Sequence, residues 1–411
     1  MRVLITGGAG FIGSHLGDAL LRAGHSVRAL DNLDPQVHPG GERPGYLSAE
    51  IELQVGDVRD HAAVARALDG IDTVVHFAAA VGVGQSMYEI EKYTSINAVG
   101  AAVMLEEIAK VRDRLGRMLV ASSMSIYGEG RYRCPTHGLV APQVRSDEQL
   151  DRREWELRCD DCGRELEPLP TGEDKPIWPM SIYAVGKRDH EEMFLSIGRA
   201  HRLPTVAMRF FNVYGDRQSL SNPYTGVAAI FGGRLLNGNA PLVFEDGLQS
   251  RDFIHVSDIA AGCIAALESG GADYRAVNLG TGVPTTILDV AHELARGLGK
   301  EQLKPEIVNK FRAGDIRHCV ADIALAERTL SFAPKVQFAD GMRELLGWVA
   351  NQQATDSVDA AAGQLEAAGL TRGAPAPTSR FPWATPTTGS CCWRACDRCR
   401  ARRARSRCRR S

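Results

Sequence analysis

Short apolar runs alternate with longer stretches of helical periodicity over the first 121 residues of the chain. Five apolar runs predict strands: Arg2–Thr6, Ser26–Leu30, Ile51–Val55, Thr73–Phe77 and Arg117–Ala121. Three periodic stretches between them predict helices: Phe11–Ala23, His61–Leu68 and Ile96–Arg114. Strands that alternate with helices predict an α/β fold with a doubly wound parallel sheet, in which ligands bind at the carboxyl ends of the strands.

The remainder of the chain departs from this alternation in three places. Residues 129–169 are polar and carry cysteines, which predicts an insertion within a first domain, residues 1–212. Residues 213–350 mix short strands and helices, which predicts a smaller α+β lobe with segments that return to the first domain. Residues 354–411 turn to Ala, Gly, Pro and Thr and then to Cys and Arg. Because that composition cannot build a core, we predict a disordered basic tail there.

Composition and charge narrow the classes of protein. The chain has 411 residues, of which 44% are hydrophobic and 24% charged, and this excludes wholesale disorder. No apolar run approaches the roughly 18 uncharged residues of a membrane-spanning helix, so no membrane partner is expected. Residues 371–411 hold eleven arginines and one acidic residue, which leaves the first 370 residues with a net charge of −12. An acidic body does not favour a nucleic-acid partner.

The start of the chain and its cysteines predict the compartment. The segment MRVLITGGAG passes directly into a strand and a glycine turn, so we expect no secretory signal. A cytoplasmic, reducing location follows. There the ten cysteines are expected to be metal ligands or free thiols rather than disulfides.

A glycine-rich turn indicates a dinucleotide site. Gly7, Gly10 and Gly13 stand between the first predicted strand and the first predicted helix, where backbone N–H groups can bind a pyrophosphate. The alternative is an ordinary turn between a strand and a helix. Asp31 ends the second strand, and its carboxylate can accept the ribose hydroxyls. Since Asn32 rather than an arginine follows, NAD is favoured over NADP. Further cofactor contacts are expected at Phe11, Ile12, Asn32, Asp57, Val58, Phe77, Ala78, Ala79 and Asn97.

A tyrosine and a lysine provide candidate acid–base chemistry. Tyr183 and Lys187 are spaced i,i+4, so both project from one face of a predicted helix. A phenol loses its proton near pH 10, and a nearby ammonium together with the positive charge of NAD⁺ would lower that pKa. Ser123 lies in a hydroxyl-rich run at a strand end and can orient a substrate hydroxyl. The alternative is that the pair only packs at a surface.

Together these features resemble the extended short-chain dehydrogenase/reductase family, and specifically its nucleotide-sugar epimerases and dehydratases. The resemblance covers about residues 1–350 and rests on the motifs TGGAGFIGSHL, HFAA, SSMSIYG, YAVGK, RFFNVYG, RDFIHVSDIA, NLGTG and RAGD. It implies a Rossmann-type sheet with a smaller lobe that binds the substrate. Ser123, Tyr183 and Lys187 would be catalytic, with Lys187 also on the cofactor ribose. It also implies a sugar-nucleotide site of Asn212, Arg251, Arg312 and Asp315, with the arginines on the diphosphate.

One departure from the family pattern bears on the reaction. The family's sugar 4,6-dehydratases carry an Asp-Glu pair after the catalytic threonine, whereas this chain has Met124 and Ser125 there. Neither side chain can protonate a leaving hydroxyl, so we predict NAD-dependent epimerisation at C4 through a 4-keto intermediate. A nucleotide-sugar reductase or dehydrogenase remains the alternative. A non-catalytic NAD-binding scaffold fits less well, because a scaffold has no need for the Ser123, Tyr183 and Lys187 set.

The insertion carries a candidate metal site. Cys134, His137, Cys159 and Cys162 form two pairs with three-residue spacing, each followed by glycine. Sulfur and imidazole suit tetrahedral zinc, and four protein ligands would make the site structural. The alternative is four unrelated surface residues. With SNPYTGVAAIF and FEDGLQSRDF, the insertion is most similar to that of the dTDP-L-rhamnose 4-epimerases, which predicts dTDP-L-rhamnose as the substrate and dTDP-6-deoxy-L-talose as the product. Another epimerase activity, such as that on UDP-glucose, stays open.

The resemblance also implies a homodimer. The helical stretches Ile96–Arg114 and Ser181–His201 are long enough to pair with their symmetry mates in a four-helix bundle.

Overall fold

The computed structural model describes residues 1–312 and 314–373. The strands in chain order are β1 (Arg2–Thr6), β2 (Ser26–Asp31), β3 (Glu52–Val55), β4 (Thr73–His76), β5 (Arg117–Ser123), β6 (Arg131–Cys134), β7 (Gly138–Val140), β8 (Glu167–Leu169), β9 (Thr205–Phe210), β10 (Asn212–Tyr214), β11 (Leu242–Val243), β12 (Ser250–His255), β13 (Arg275–Leu279), β14 (Pro284–Thr286), β15 (Glu306–Ile307), β16 (Lys310–Arg312), β17 (His318–Cys319) and β18 (Thr371–Gly373).

The α-helices in chain order are α1 (Phe11–Arg22), α2 (His61–Ala67), α3 (Val83–Ser86), α4 (Ile90–Thr94), α5 (Gly100–Val111), α6 (Asp147–Asp151), α7 (Ile182–His201), α8 (Val227–Leu236), α9 (Val256–Glu268), α10 (Ile287–Gly297), α11 (Ala324–Leu330), α12 (Phe338–Val349) and α13 (Val358–Ala367). None of the helices in the described part of the chain is long and apolar enough to cross a bilayer.

Seven parallel strands form the central sheet, in the order β13-β9-β5-β4-β1-β2-β3. Side chains alternate across it, as the strand period requires. Val3 and Ile5 of β1 lie in the core on one side, and Leu4 lies in the core on the other. Helices cover both faces, so the strands read as nearly continuous apolar runs. The predicted α/β fold with a large parallel sheet is confirmed.

The segment after residue 212 contributes both to a second lobe and to this sheet. Helices α8, α10 and α12 pack around a separate core. By contrast, β13 forms the outer strand beside β9, and α9 packs against α1. The second lobe is therefore anchored in the main sheet.

The predicted long helix Ile96–Arg114 differs from the structure in one detail. The chain is helical from Ile90 and contains a π-helical turn over Ser95–Val99 before α5 begins. Asn97 lies in that turn, and its side chain hydrogen-bonds both backbone groups of Ala80. Single π turns of this kind widen a helix locally and often occur at functional sites.

The insertion forms its own three-stranded antiparallel sheet, in the order β7-β6-β8. Tyr132, Leu157 and Leu166 form a small apolar cluster on it. That cluster is too small to hold the fold alone, so other bonds must stabilise the insertion.

The tail prediction fails for its first twenty residues. Instead of disorder from residue 354, the chain forms α13 and then β18, which pairs antiparallel with β16. Ala361 and Leu365 of α13 are buried. A few apolar side chains at helical spacing are enough to bury one face of α13, even though residues 354–411 as a whole are too polar to build a core. The rest of the predicted tail, residues 374–411, lies outside the described residues.

Candidate active site

A cleft of about 660 Å³ opens at the carboxyl ends of the central strands and runs to the second lobe. It brings together all of the predicted cofactor, catalytic and substrate residues except Asn97. Those that line it are Gly7, Gly10, Phe11, Ile12, Gly13, Asp31, Asn32, Asp57, Val58, Phe77, Ala78, Ala79, Ser123, Tyr183, Lys187, Asn212, Arg251, Arg312 and Asp315. The position matches that of ligand sites in open parallel sheets.

The glycine turn has the form that a bound pyrophosphate needs. Gly7 has a φ of +69°, and a Cβ there would lie 2.9 Å from the backbone nitrogen of Ala78. A Cβ on Gly13 would lie 2.3 Å from the carbonyl oxygen of Gly7, so α1 can approach the turn only with glycine there. Gly10 is the N-cap of α1, whose first turn holds no acidic residue. The free N–H groups of this helix end therefore face the cleft, and no acidic side chain of the helix's own first turn competes for them.

Asp31 is buried at the end of β2 and organises the turn. Its carboxylate accepts hydrogen bonds from the backbone nitrogens of Ala9 and Leu33, both at 3.0 Å. His38, also buried and on the cleft wall, places its Nε2 3.9 Å from the same carboxylate. No motif in the sequence points to His38, because the loop after β2 alone brings it there. Two acceptor oxygens so placed fit the ribose hydroxyls of a dinucleotide.

Two other predicted cofactor residues are engaged within the protein. Asp57 forms an ion pair with Arg59 at 2.7 Å, and the hydrogen bond from Arg59 lowers the pKa of Asp57. Asn97 does not line the cleft. It is fully buried. Its side-chain oxygen accepts from the N–H of Ala80 at 2.8 Å, and its side-chain nitrogen donates to the carbonyl oxygen of Ala80 at 3.2 Å. Asn97 therefore holds the loop after β4 in shape and reaches the cofactor side only through that loop.

The catalytic candidates meet at the base of the cleft. Ser123 ends β5, where its Oγ accepts hydrogen bonds from the backbone nitrogen and hydroxyl of Ser125, at 3.2 and 2.9 Å. Ser181 caps α7 by accepting from Ala184, and one turn of α7 then presents Tyr183 and Lys187 to the same side. The ammonium of Lys187 donates to the carbonyl oxygen of Ala121 at 3.0 Å.

Burial controls the ionisation of this group. Desolvation raises the pKa of Tyr183 to about 12, and interaction with the Ser123 hydroxyl opposes part of that rise. Desolvation likewise lowers the pKa of Lys187 to about 7. The predicted lowering of the Tyr183 pKa by Lys187 is thus not seen in the ligand-free protein. Burial dominates both groups, and the positive charge of a bound cofactor is what would favour the phenolate.

A buried network behind the catalytic group was missed in the sequence. The Ser122 hydroxyl donates to Glu191 at 2.7 Å, and Arg209 binds the same carboxylate through two nitrogens, at 2.9 and 2.5 Å. Arg209 also donates to the hydroxyl of Tyr127 at 2.7 Å, which in turn donates to Asn278. The network fixes the ends of β5 and β9 beside α7. The one signal for this network in the sequence is Arg209, a charged residue inside an apolar strand run, because a buried charge needs a partner.

The opposite wall carries groups suited to a diphosphate and a sugar. The guanidinium of Arg251 donates to the carbonyl oxygens of Ser250, Arg317 and Ile316, and two of its five N–H groups have no acceptor within the described part of the chain. Arg312 donates to Asp315 at 2.8 Å and lies 4.6 Å over the ring of Phe244. On the same wall, the buried side-chain oxygen of Asn212 has no hydrogen-bond partner among the described residues. A buried acceptor without a partner in a cleft indicates that a hydrogen-bond donor of a ligand binds there.

The four predicted metal ligands converge. Nδ1 of His137 lies 3.6 Å from the sulfur of Cys134 and 3.3 Å from that of Cys159, and the sulfurs of Cys134 and Cys162 lie 3.6 Å apart. All four candidate donor atoms lie within 4.8 Å of one another. Tetrahedral zinc, with Zn–S bonds of about 2.3 Å, places its sulfurs about 3.8 Å apart. The donor set and its spacing therefore fit zinc, and the three sulfurs are free thiols rather than a disulfide.

Buried ion pairs join the insertion to the substrate side of the cleft. Arg145 binds Glu245 through two nitrogens, at 2.9 and 2.8 Å, and donates to the carbonyl oxygen of Asp315 at 3.2 Å. Arg317 is fully buried and binds both Glu245 and Glu156. Since Asp315 holds Arg312, the insertion is linked through Arg145 to a cleft arginine.

Comparison with known proteins places the chain in a family. A model of the NAD dependent epimerase/dehydratase family matches residues 3–145 and 162–280, and the gap falls within the insertion. The chain is 31% identical over 353 residues to a dTDP-L-rhamnose 4-epimerase of Burkholderia thailandensis, across 85% of this chain and 95% of the relative. It is 30% identical to a UDP-glucose 4-epimerase of Neisseria meningitidis serogroup A, across 85% and 97%.

A solved structure gives the same result. The UDP-glucose 4-epimerase of Thermus thermophilus in complex with NAD superposes with a TM-score of 0.67 at 28% identity, across 85% of this chain and 99% of that one. Both the sequence match and the shared fold extend over the sheet, the glycine turn and the second lobe. The chain belongs to the NAD-dependent epimerase/dehydratase family.

Proposed function

We propose that this chain is a nucleotide-sugar 4-epimerase that uses NAD and regenerates it within each turnover. The observation that carries the proposal is the meeting of Ser123, Tyr183 and Lys187 in one cleft, between the glycine turn and the pair Arg251 and Arg312. NAD fits the glycine turn and Asp31, and when bound there it would supply a hydride acceptor for C4 of the sugar and a hydride donor for the return step.

The protein's own residues supply positioning and proton transfer. Ser123 orients the 4-hydroxyl, and Tyr183 as phenolate takes its proton as general base. Lys187 in its charged form favours that phenolate and holds the cofactor ribose. Arg251 and Arg312 bind the diphosphate while the 4-keto sugar turns its other face. Tyr183 then returns the proton to the oxygen on C4, and the product has the inverted configuration.

A dehydration is disfavoured by the residues next to Ser123. Met124 is buried and apolar, and the Ser125 hydroxyl is donated to Ser123 at 2.9 Å. Neither position offers a carboxyl group to protonate a leaving hydroxyl. This distinction matters because relatives of this chain include a dTDP-glucose 4,6-dehydratase of Actinoplanes, at 28% identity.

For the substrate we propose dTDP-L-rhamnose, with dTDP-6-deoxy-L-talose as the product. Support comes from the relative of that activity at 31% identity, and from the motifs of the insertion and second lobe. The competing substrate is UDP-glucose, because a relative named for that activity is 30% identical.

One experiment tests both levels of the proposal. Purified protein is incubated with a panel of dTDP-, UDP- and GDP-sugars, and NMR follows the configuration at C4 while absorbance follows free NADH. We expect a new C4 epimer of dTDP-L-rhamnose without net NADH. Stoichiometric NADH without an epimer would replace the epimerase with a dehydrogenase, and epimerisation of UDP-glucose alone would replace only the substrate.

We also propose that Cys134, His137, Cys159 and Cys162 hold one structural zinc ion. Four protein donors close a tetrahedral shell and leave no position for a substrate. The role we assign to the ion is to stabilise the insertion, whose apolar cluster is small. Through Arg145 the insertion then supports the segment that carries Arg312 and Asp315.

A further inference from the structure

Residues 354–373, which we call the C-terminal strap, form part of the cleft wall. Its helix α13 places Val358, Ala361, Ala362 and Leu365 on the cleft. These positions are spaced i, i+3, i+4 and i+7, so they form one face of the helix. Leu370 lines the cleft as well. A segment predicted to belong to a disordered tail thus presents a small, apolar face to the ligand site.

Hydrogen bonds tie this helix to both sides of the cleft. The side-chain oxygen of Gln364 accepts from the hydroxyls of Tyr88, at 3.1 Å, and Tyr224, at 2.7 Å. Tyr88 lies between α3 and α4 on the cofactor side, whereas Tyr224 precedes α8 in the second lobe. Leu365 lies against Gly84, where a Cβ would approach it to 3.2 Å. The strap therefore contacts residues of both walls, at a point where Tyr88 and Tyr224 also hydrogen-bond each other.

The end of the strap supports a ligand-binding arginine. Strand β18 pairs with β16, and in that register Thr371 lies opposite Arg312. Arg372 forms an ion pair with Asp147 of the insertion. The backbone of the proposed diphosphate arginine is thus held on one side by the strap.

The contacts that hold the middle of the strap against the rest of the protein are weak enough to break and re-form. The buried residues of the strap are Ala361 and Leu365, the side chain of Asp356 is 8% exposed, and Gln364 is exposed. Arg234 pairs with Asp356 and Asp359, at 3.4 and 2.9 Å, and so anchors the start of the strap more firmly than its middle. Segments with few buried apolar contacts and exposed hydrogen bonds open at low free-energy cost.

We propose that the C-terminal strap is a movable wall of the sugar-nucleotide site, which opens for exchange and closes on the bound nucleotide. This inference rests on the proposed function, because it takes the cleft as the site for a sugar nucleotide. Closure brings α13 against the ligand. It also fixes the position of Arg312, because β18 pairs with the strand that carries this arginine. Ala361 and Ala362 limit the width of the site, and Gln364 fastens the closed position.

A matched pair of substitutions tests the wall. Ala362→Leu adds bulk toward the cleft, whereas Ala367→Leu adds the same bulk on an exposed position of the same helix. We expect Ala362→Leu to raise the Kd for dTDP and UDP about tenfold or more, because overfilling a packed site is costly. Ala367→Leu should match the unaltered protein, and both variants should bind NAD equally well. Equal nucleotide affinity in the two variants would overturn the assignment of the wall.

Hydrogen exchange tests the movement. Amides of α13 and β18 should exchange more slowly when dTDP or UDP is added to the NAD-loaded protein, whereas those of α11, none of whose residues lines the cleft, should not change. Gln364→Ala should weaken this protection and speed nucleotide release. Nucleotide binding without added protection of α13 would overturn the closure. Failure of the unaltered protein to bind either nucleotide would instead overturn the proposed function itself.

Discussion

Tyr183 is the residue on which the proposed chemistry depends most directly. Removing its hydroxyl in Tyr183→Phe removes the general base, and this typically lowers a rate by about 10²–10⁴-fold. We expect that loss in kcat for the nucleotide-sugar substrate, with NAD binding retained because the glycine turn and Asp31 are untouched. Tyr274→Phe, which removes a phenol outside the cleft lining, is the control for loss of a tyrosine hydroxyl. Full turnover by Tyr183→Phe would assign the base elsewhere.

Lys187 gives a pH dependence of stability whose sign can be worked out. Burial lowers the pKa of Lys187 to about 7, whereas the unfolded chain has the ordinary value near 10.4. Between these values the unfolded state binds more protons, so stability rises with pH in that window. From pH 7 to pH 9 the free energy of unfolding of the ligand-free protein should rise by roughly 2 kcal/mol relative to Lys187→Met.

Urea unfolding of the two proteins at both pH values checks this. A difference between them that does not change with pH would mean that Lys187 stays charged in the folded state.

Asp31 sets the preference among dinucleotides and also holds the glycine turn. Asp31→Gly combined with Asn32→Arg removes a charge that repels a 2′-phosphate and adds one that attracts it. We therefore expect equilibrium binding to shift from NAD toward NADP. Because Ala9 and Leu33 lose their acceptor, the variant should also have a lower Tm. A preference of the unaltered protein for NADP would contradict the ribose assignment.

Among the elements, the insertion gives the sharpest prediction. Elemental analysis should find about one zinc ion per chain, since one closed shell uses all four ligands. Cys159→Ser with Cys162→Ser should remove it and raise KM for the nucleotide sugar, because the insertion supports Arg312 through Arg145 and Asp315. NAD affinity should change little. Cys263→Ser, at a buried thiol remote from the cluster, is the matched control. Unchanged zinc in the double variant would exclude these ligands.

At the scale of the whole molecule, we expect a homodimer formed by α5 and α7. Val99, just before α5, and Val185 on α7 are 49% and 40% exposed, although both are apolar. An aliphatic pair on neighbouring helices suits packing against a symmetry mate. Val99→Glu with Val185→Glu should convert the dimer to monomers in light scattering after gel filtration. A monomeric unaltered protein would contradict this assembly.

The sequence predicted the sheet well, because strands and helices follow from local spacing, and the same local spacing places the catalytic candidates in one cleft. Tyr183 and Lys187 share a face through the helical period, and Asp31 reaches the turn because it ends a strand next to β1. Partners distant in sequence could not be foreseen in this way. Arg145 meets Glu245 only in the folded chain, and Asn97 turns away from the cleft because the loop at Ala80 takes its amide. Helix α13 could not be foreseen because its four spaced apolar residues lie in a segment whose average composition predicts disorder.

The placement of β13 has a consequence for synthesis on the ribosome. The chain through residue 212 contains six strands of the central sheet, but the seventh arrives only with residues 275–279. Until then the nascent chain presents β9, whose six side chains are all buried in the finished protein, as an open sheet edge. Open apolar edges pair readily with other chains. Chaperone demand during translation should therefore peak between the emergence of β9 and that of β13.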